Sequence, residues 1–132
     1  MDPVDRFFDA INRKDIEALA AVIHPDFEMI VPQKPARGFK GKDQEVKNIR
    51  ALCEARPDLV VTVLRRAEQG AEIWTETELR AAGLEMAAVT IWTVDADTGT
   101  LSRGRYYSEA VRHGGGDIDD FMRTLGAETG SS

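Results

Sequence analysis

The order in which helical and strand-like patterns follow one another constrains the fold of this chain more than any single motif does. Three helix-like stretches crowd the first half with one short strand-like run among them, and four longer strand-like runs follow almost back to back. Such an order is typical of α+β domains. We expect a cone-shaped α+β barrel, in which a strongly curved, mostly antiparallel sheet wraps around the N-terminal helices and leaves a central apolar cavity.

The helices are predicted from apolar residues at helical spacing. In the first helix these residues stand at i, i+3, i+4 and i+7, and they are Val4, Phe7, Phe8 and Ile11. A second, shorter helix is expected to end at His24-Pro25, because the residue before a proline disfavours helical backbone. The third is predicted over residues 42–55, with Pro57 beyond its end. Its apolar side is predicted to hold Val46, Ile49, Leu52 and Cys53.

The strands are predicted from runs bounded by turn-forming residues. These runs cover residues 27–31, 58–68, 71–81, 84–94 and 100–112. In the run 84–94 both alternating rows are largely apolar, which indicates that both faces of the strand are covered. The helices of one small domain can cover only one face of the sheet. We therefore expect a homodimer formed through the outer sheet face.

Length and composition limit the classes of protein that need be considered. The 132 residues suit one domain, predicted over residues 1–112, followed by a Gly-rich joint at 113–116, a helix at 117–125 and a disordered tail at 126–132. The net charge of −6 and the scattered basic residues, densest at Arg65-Arg66 and Arg103-Gly104-Arg105, argue against nucleic acid. No run is long and apolar enough for a membrane span, and no secretory signal is visible, so a cytoplasmic location is expected.

The sequence offers little that would hold a metal or a cofactor. His24 and His113 are far apart and lack the spacing of a ligand pair, so no metal is expected. No glycine-rich loop stands between a strand and a helix, so no nucleotide cofactor is expected either. Cys53 is the one cysteine and is interpreted as a small buried thiol, since no partner that would stabilise its thiolate stands near it in the sequence.

Four short segments carry a resemblance to a known group of proteins. They are residues 4–12 (VDRFFDAIN) followed by Asp15, residues 24–27 (HPDF), residues 39–41 (FKG) and residues 105–109 (RYYSE). Their order and spacing, over about residues 4–111, resemble the nuclear-transport-factor-2-like superfamily, which contains ketosteroid isomerases and SnoaL-like polyketide cyclases. The resemblance implies an open α+β cone with an apolar cavity, often dimeric, but it does not fix a function.

The resemblance also allows the isomerase site to be tested residue by residue. The family's enzymes use a tyrosine on the first helix, an aspartate base after the first strand and a protonated aspartate on a late strand. The matching positions here are Phe7, Val31 and a position near Thr90. Since Phe7 has no hydroxyl and Val31 cannot accept a proton, we do not expect steroid-isomerase chemistry by that site.

The last strand offers a different set of polar side chains. Arg103, Arg105, Tyr107 and Glu109 share one face, because alternate residues of a strand point the same way. The resemblance implies that the row with Tyr107 lines the cavity, where Arg105 and Tyr107 would bind an oxygen atom and Glu109 would act as base or orient Arg105. The alternative interpretation is a ladder of ion pairs on the outer sheet surface.

A second candidate lies on the strand at 71–81, where Trp74, Glu76, Glu78 and Arg80 share a row. Two neighbouring carboxylates would repel each other, and one of them, if desolvated, could serve as a general acid or base. The alternative is a solvated outer face with Arg80 as counter-ion. The family-guided alignment favours that alternative, because it places the row of Thr75, Thr77 and Leu79 inward.

Two hypotheses for function follow. The first is a cofactor-independent cyclase, isomerase or hydrolase acting on a small, largely apolar carbonyl or polycyclic metabolite. Its catalytic residues would be Arg105, Tyr107, Glu109 and Glu78, and its ligand-binding residues would be Phe7, Val31, Cys53, Thr90 and Trp92. The second hypothesis is a non-catalytic ligand-binding or dimerisation module of the same fold.

Overall fold

A computed structural model describes residues 1–111 together with Met122 and Leu125. Its helices are α1 (Pro3–Arg13), α2 (Ile16–Ala21) and α3 (Lys42–Ala55), with a short 3-10 helix at Pro35–Arg37. Its strands are β1 (Ile23–Ile30), β2 (Phe39–Lys40), β3 (Val60–Gln69), β4 (Glu72–Ala81), β5 (Leu84–Val94) and β6 (Leu101–Ala110).

The six strands form one sheet in the order β2-β1-β6-β5-β4-β3. Every neighbouring pair runs antiparallel except β1 and β6, which are parallel. The sheet is curved and α1 packs on its inner face, where Val4, Phe8 and Ile11 are buried. The predicted α+β cone with a mostly antiparallel sheet is confirmed.

Helix α1 is held at both ends. At its start, Oδ1 of Asp2 accepts a hydrogen bond from the N–H of Asp5 (2.9 Å), and Pro3 occupies the first turn, where no N–H is needed. At its end, the Asn12 side chain exchanges two hydrogen bonds with the backbone of Val61, at 2.9 and 2.7 Å. These bonds fix α1 against β3 and hence fix the position of its apolar face under the sheet.

The region around His24 differs from the prediction. Helix α2 ends at Ala21, and β1 begins at Ile23 rather than at residue 27. The cause is pairing with the last strand: the N–H of Leu101 donates to the carbonyl of Val22 (2.8 Å), which draws this segment into the sheet. His24 therefore lies in a strand, where its Nδ1 accepts a hydrogen bond from the N–H of Asp26 (3.0 Å).

Strand register decides which side chains face the helices. Two rows of facing residues run across β4, β5 and β6. The first row is Ile73, Trp92 and Gly104, and the second is Thr75, Thr90 and Tyr106. Ile73, Thr75, Thr90 and Trp92 are all buried. The inner row of β4 is therefore the one with Thr75 and Thr77, and Trp74, which is 42% exposed, lies on the outer face.

The predicted division of the chain at residue 112 remains a prediction. The joint at 113–116, the helix at 117–125 and the tail at 126–132 lie outside the described residues, apart from Met122 and Leu125, which are helical. In the part of the chain that is described, no helix is long and apolar enough to cross a membrane.

Candidate functional site

A cavity of about 480 Å³ lies between the inner face of the sheet and the helices. Ligand sites of proteins fall in this size range and are mostly apolar with a few placed polar groups. The wall is apolar over most of its surface, formed by Phe7, Phe8, Ile11, Met29, Val31, Phe39, Ile49, Leu52, Leu59, Val61, Leu79 and Trp92. Its polar residues are Arg37, Glu45, Asn48, Thr77, Thr90 and Tyr106.

An aromatic cluster of Phe7, Phe8 and Trp92 forms part of the wall. The ring of Trp92 lies 4.8 Å from that of Phe7 and 5.8 Å from that of Phe8, measured between centroids. The indole Nε1 of Trp92 donates to Oγ1 of Thr75 (3.1 Å), so its polar atom is satisfied inside the sheet. What the cluster presents to the cavity is apolar surface.

Glu45 is a buried acidic residue in this mostly apolar wall. It is only 3% exposed, and its Oε2 has no hydrogen-bond partner among the described residues. Burial raises the pKa of this carboxyl from 4.5 to about 7, because a charged carboxylate loses its hydration there. Near neutral pH the group therefore exists in both protonation states, which is the property that a general acid or base requires.

The sequence contains a signal for Glu45, which the predicted set of site residues does not include. Glu45, Ile49, Leu52 and Cys53 stand at i, i+4, i+7 and i+8, which is the spacing of the buried stripe of a helix. The predicted apolar side of this helix began at Val46. An acidic residue in register with a buried stripe is rare unless it is paired or functional, so its position could have identified it.

Tyr106 is the second polar group of interest. It faces Thr90 across β5 and β6, and both residues line the cavity. The Tyr106 hydroxyl makes no hydrogen bond to any other described residue. A phenol can donate a hydrogen bond to a ligand oxygen, and the Tyr106 hydroxyl is available to do so.

Two further polar residues stand where the cavity meets solvent. Arg37, in the 3-10 helix, and Asn48, in α3, both line the cavity and are both exposed. Oδ1 of Asn48 accepts a hydrogen bond from Nε2 of Gln44 (2.8 Å), which leaves the Asn48 N–H groups for other partners. We call these two residues the mouth of the cavity.

The prediction that the row with Tyr107 faces the cavity is wrong. Arg105, Tyr107 and Glu109 pair with Ile91, Val89 and Ala87 on the outer face, and none of the three is among the described residues that line the cavity. Nε of Arg105 donates to the Tyr107 hydroxyl (2.8 Å), and Glu109 is exposed. A shift of one residue in register exchanges the two faces of a strand, so Tyr106 takes the inward place.

Glu78 also lies on the outer face rather than in the cavity. It faces Ala87 across the β4–β5 pair, and its Oε2 stands 3.6 Å from Nη2 of Arg80. The alternative interpretation of this row, a solvated face with Arg80 as counter-ion, is the one that the geometry supports. None of the four predicted catalytic residues is therefore brought to the cavity.

Four of the five residues predicted to shape the cavity are found in its wall. Phe7, Val31, Thr90 and Trp92 all line it. Cys53 does not belong to the described lining, because its thiol lies in the apolar core beneath α3. Burial raises the pKa of this thiol, and the nearby charge of Lys14 only partly opposes that rise.

The described residues contain no group of three His, Cys, Asp or Glu side chains that could hold a metal ion. The chemistry that the cavity can perform with its own residues is proton transfer by Glu45 and hydrogen-bond donation by Tyr106, Thr90 and the mouth residues.

Solved structures with the same architecture include three that illustrate its range. A protein proposed to be a ketosteroid isomerase, from Kribbella flavida, has a TM-score of 0.71 and 18% identity, with 89% of this chain and 83% of that chain covered. A proposed SnoaL-like polyketide cyclase from Shewanella putrefaciens has a TM-score of 0.69 and 11% identity, with 80% and 77% covered. A SnoaL-like protein of unknown function from Burkholderia thailandensis has a TM-score of 0.69 and 19% identity, with 80% and 89% covered.

At these identities the structural neighbours show a shared fold and no shared activity. No curated protein is significantly similar to the chain in sequence. The sequence profile of the SnoaL-like domain matches residues 4–103, which is most of the chain and includes helix α1, the mouth of the cavity and Glu45. This chain therefore belongs to the SnoaL-like domain family.

Proposed function

We propose that the protein is a cofactor-independent enzyme that moves a proton on a small, largely apolar carbonyl or polycyclic substrate, in the manner of an isomerase or cyclase. The observation that carries this proposal is the carboxyl of Glu45, which lines an apolar cavity and has an oxygen without a hydrogen-bond partner among the described residues.

A structural role does not account for Glu45. An unpaired polar group in an apolar environment costs a few kcal/mol, and an apolar side chain of similar volume would avoid that cost. Buried carboxyls that serve stability are normally paired or bonded to several N–H groups. Groups with a pKa shifted by burial cluster at functional sites, and this one adjoins a space of ligand size.

The mechanism that fits these groups is transfer of a proton next to a carbonyl. The Glu45 carboxylate takes the proton from the carbon, and the electrons of the broken C–H bond form the enolate. The Tyr106 hydroxyl donates a hydrogen bond to the enolate oxygen, on which negative charge develops. The protonated Glu45 then returns the proton to a carbon, which completes an isomerisation. Alternatively, the enolate carbon attacks a second carbonyl and closes a ring, and the alkoxide formed from that carbonyl takes the proton from Glu45.

The size and wall of the cavity support an aromatic or alicyclic substrate. A dry apolar cavity of about 150 Å³ is known to hold benzene, so a volume about three times larger suits a skeleton of two or three rings. In this proposal the rings contact Phe7, Val31 and Trp92, and the Thr90 hydroxyl lies beside Tyr106.

Exchange of the α-protons of 2-tetralone in deuterated buffer tests the proposal, because it requires the proposed proton transfer and no knowledge of the natural substrate. We expect the protein to accelerate this exchange over buffer, with a pH profile that rises with a midpoint near 7. Glu45→Gln should lower the enzyme-dependent rate by about 100-fold or more, the range for removal of a general base.

The matched control is Glu54→Gln, which changes an exposed glutamate of the same helix. It should exchange 2-tetralone at the wild-type rate. If wild type binds 2-tetralone but exchanges it no faster than buffer does, the protein is the non-catalytic binding module. If Glu45→Gln keeps the wild-type acceleration, Glu45 is not the base and the proposed chemistry is refuted.

We propose in addition that two copies of the chain associate through the outer sheet face. Apolar side chains there are exposed: Val60 is 52%, Trp74 42% and Val89 38% accessible. Exposed apolar side chains on the face opposite the helices are typical of an interface between subunits.

A cytoplasmic location remains part of the proposal. It is supported by the free thiol of Cys53, and cell fractionation would test it.

A further inference from the structure

We infer that the substrate carries a carboxylate, which Arg37 and Asn48 bind at the mouth of the cavity while its apolar skeleton lies inside. This inference rests on the proposed function and adds the polar end of the substrate to it. Three features support it: the basic segment that carries Arg37, the lack of protein partners for its charge, and the backbone hydrogen bonds that hold that segment.

Arg37 reaches the mouth from a basic segment of the chain, although the net charge of the chain is −6. Residues 34–42 contain four basic side chains, Lys34, Arg37, Lys40 and Lys42, and residues 32–42 contain no acidic one. This segment holds four basic residues, against two in either spot described above. Because it joins β1 to α3 and contributes Arg37 to the cavity wall, the local potential favours an anion there.

Most of this charge is not neutralised by the rest of the protein. Among the described residues, Lys40 has an ion-pair partner, Glu28 at 3.9 Å, whereas Lys34, Arg37 and Lys42 have none. Glu45 does not pair with Arg37 either, since burial is the cause of its pKa shift and no cation opposes it. The guanidinium of Arg37 is therefore free for a ligand.

The backbone that carries Arg37 is held in place. The N–H of Arg37 donates to the carbonyl of Lys34 (2.9 Å), and the N–H of Gly38 donates to that of Pro35 (3.0 Å). Gly38 is required by a close approach, since a Cβ there would stand 3.0 Å from the carbonyl oxygen of Met29. Because the turn fixes the Arg37 backbone, binding costs little backbone freedom there.

Asn48, on α3, adds hydrogen-bond donors at the mouth. Its amide oxygen is already engaged by Gln44, and its N–H groups can donate to a carboxylate oxygen. Arginine is suited to carboxylates because two of its N–H groups can bond both oxygens at once. Asn48 also lies one helical turn after Glu45 on α3, so a carboxylate bound by Asn48 would lie near the Glu45 side chain.

The test compares two ligands of nearly equal shape, 2-naphthoate and the neutral 2-naphthamide, by isothermal titration calorimetry at pH 6.0. At this pH the naphthoate is ionised and Glu45 is mostly neutral, so repulsion between the two is small. We expect wild type to bind the naphthoate at least ten-fold more tightly than the amide. Arg37→Gln should abolish that preference and leave the affinity for the amide unchanged.

Arg50→Gln is the matched control, because Arg50 is an exposed arginine of α3 outside the described lining. It should keep the full preference for the naphthoate. Retention of the preference by Arg37→Gln, or an equal loss in both variants, would overturn the inference and leave the role of Glu45 untouched. If neither compound binds wild type, both this inference and the proposed use of the cavity are refuted.

Discussion

The burial of Glu45 has a consequence for stability that can be measured without any substrate. Replacing Glu45 by Gln keeps the size and shape of the side chain and removes its titration. The folded protein holds the Glu45 proton more tightly than the unfolded chain does, because the pKa is about 7 when the carboxyl is buried and near 4.5 when it is not. The unfolding free energies of wild type and variant should therefore diverge with pH.

The sign and the size of the divergence follow from that pKa. Below about pH 4.5 the group is protonated in both states, so its titration does not change the free energy of unfolding. As the pH rises towards and past 7, the unfolded chain releases the proton first, so wild type loses stability that Glu45→Gln retains. At 1.36 kcal/mol per pH unit, the rise from 4.5 to about 7 corresponds to about 3 kcal/mol between pH 4.5 and 8.5.

Urea unfolding followed by circular dichroism, at one protein concentration and at several pH values, measures this difference. Glu45→Gln should gain about 3 kcal/mol relative to wild type from pH 4.5 to 8.5, whereas Glu54→Gln, an exposed position on α3, should stay parallel to wild type. Parallel curves for wild type and Glu45→Gln would refute the claim that this carboxyl is buried without a partner.

Three further outcomes are expected. Trp74→Arg places a charge in the exposed apolar patch of the outer face and should convert a dimer to a monomer by sedimentation velocity; a wild-type monomer would contradict the proposed association. Asn12→Ala removes both hydrogen bonds to the Val61 backbone and should cost about 2 kcal/mol in urea unfolding, and a loss below 0.5 kcal/mol would show that these bonds do not fix α1 to β3. Tyr106→Phe should slow the exchange of 2-tetralone by about ten-fold or more while binding it as wild type does, and an unchanged rate would exclude the hydroxyl from the reaction.

The architecture could be predicted because its determinants are local and repeated. The apolar residues of α1 from Val4 to Ile11 are buried, as their helical spacing predicts. The two strand-like runs that follow one another as β4 and β5 pair residue by residue in the sheet. The parallel pairing of β1 with β6 could not be predicted, because it joins segments about 75 residues apart that no local pattern relates. That pairing turned the segment after Ala21 into strand.

The candidate catalytic residues were misplaced because a strand's face depends on a single residue of register. Tyr106 and Tyr107 are adjacent, and the family resemblance selected the wrong one. The charges of Arg105 and Glu109 on the Tyr107 row favour the solvent, and that simpler argument gives the observed face. The small residue Gly104, which faces the bulky Trp92, also marks the inner row.

Glu45 was missed for a different reason. The sequence places Glu45 on the buried stripe of α3. Whether its carboxyl finds a hydrogen-bond partner depends on the other elements packed around it, so the sequence of one helix cannot predict that. The same holds for Arg37, whose place in the wall follows from the path of the segment between β1 and α3.

The most direct test of the account is the titration of the Glu45 carboxyl itself by carbon-13 NMR, with its side-chain signal assigned by its absence in Glu45→Gln. In the ligand-free protein we expect a single titration with a midpoint near 7, well above the 4.5 of an exposed glutamate. A midpoint near 4.5 would mean that the carboxyl is hydrated or paired, and neither the proposed proton transfer nor the cavity chemistry derived from it would stand.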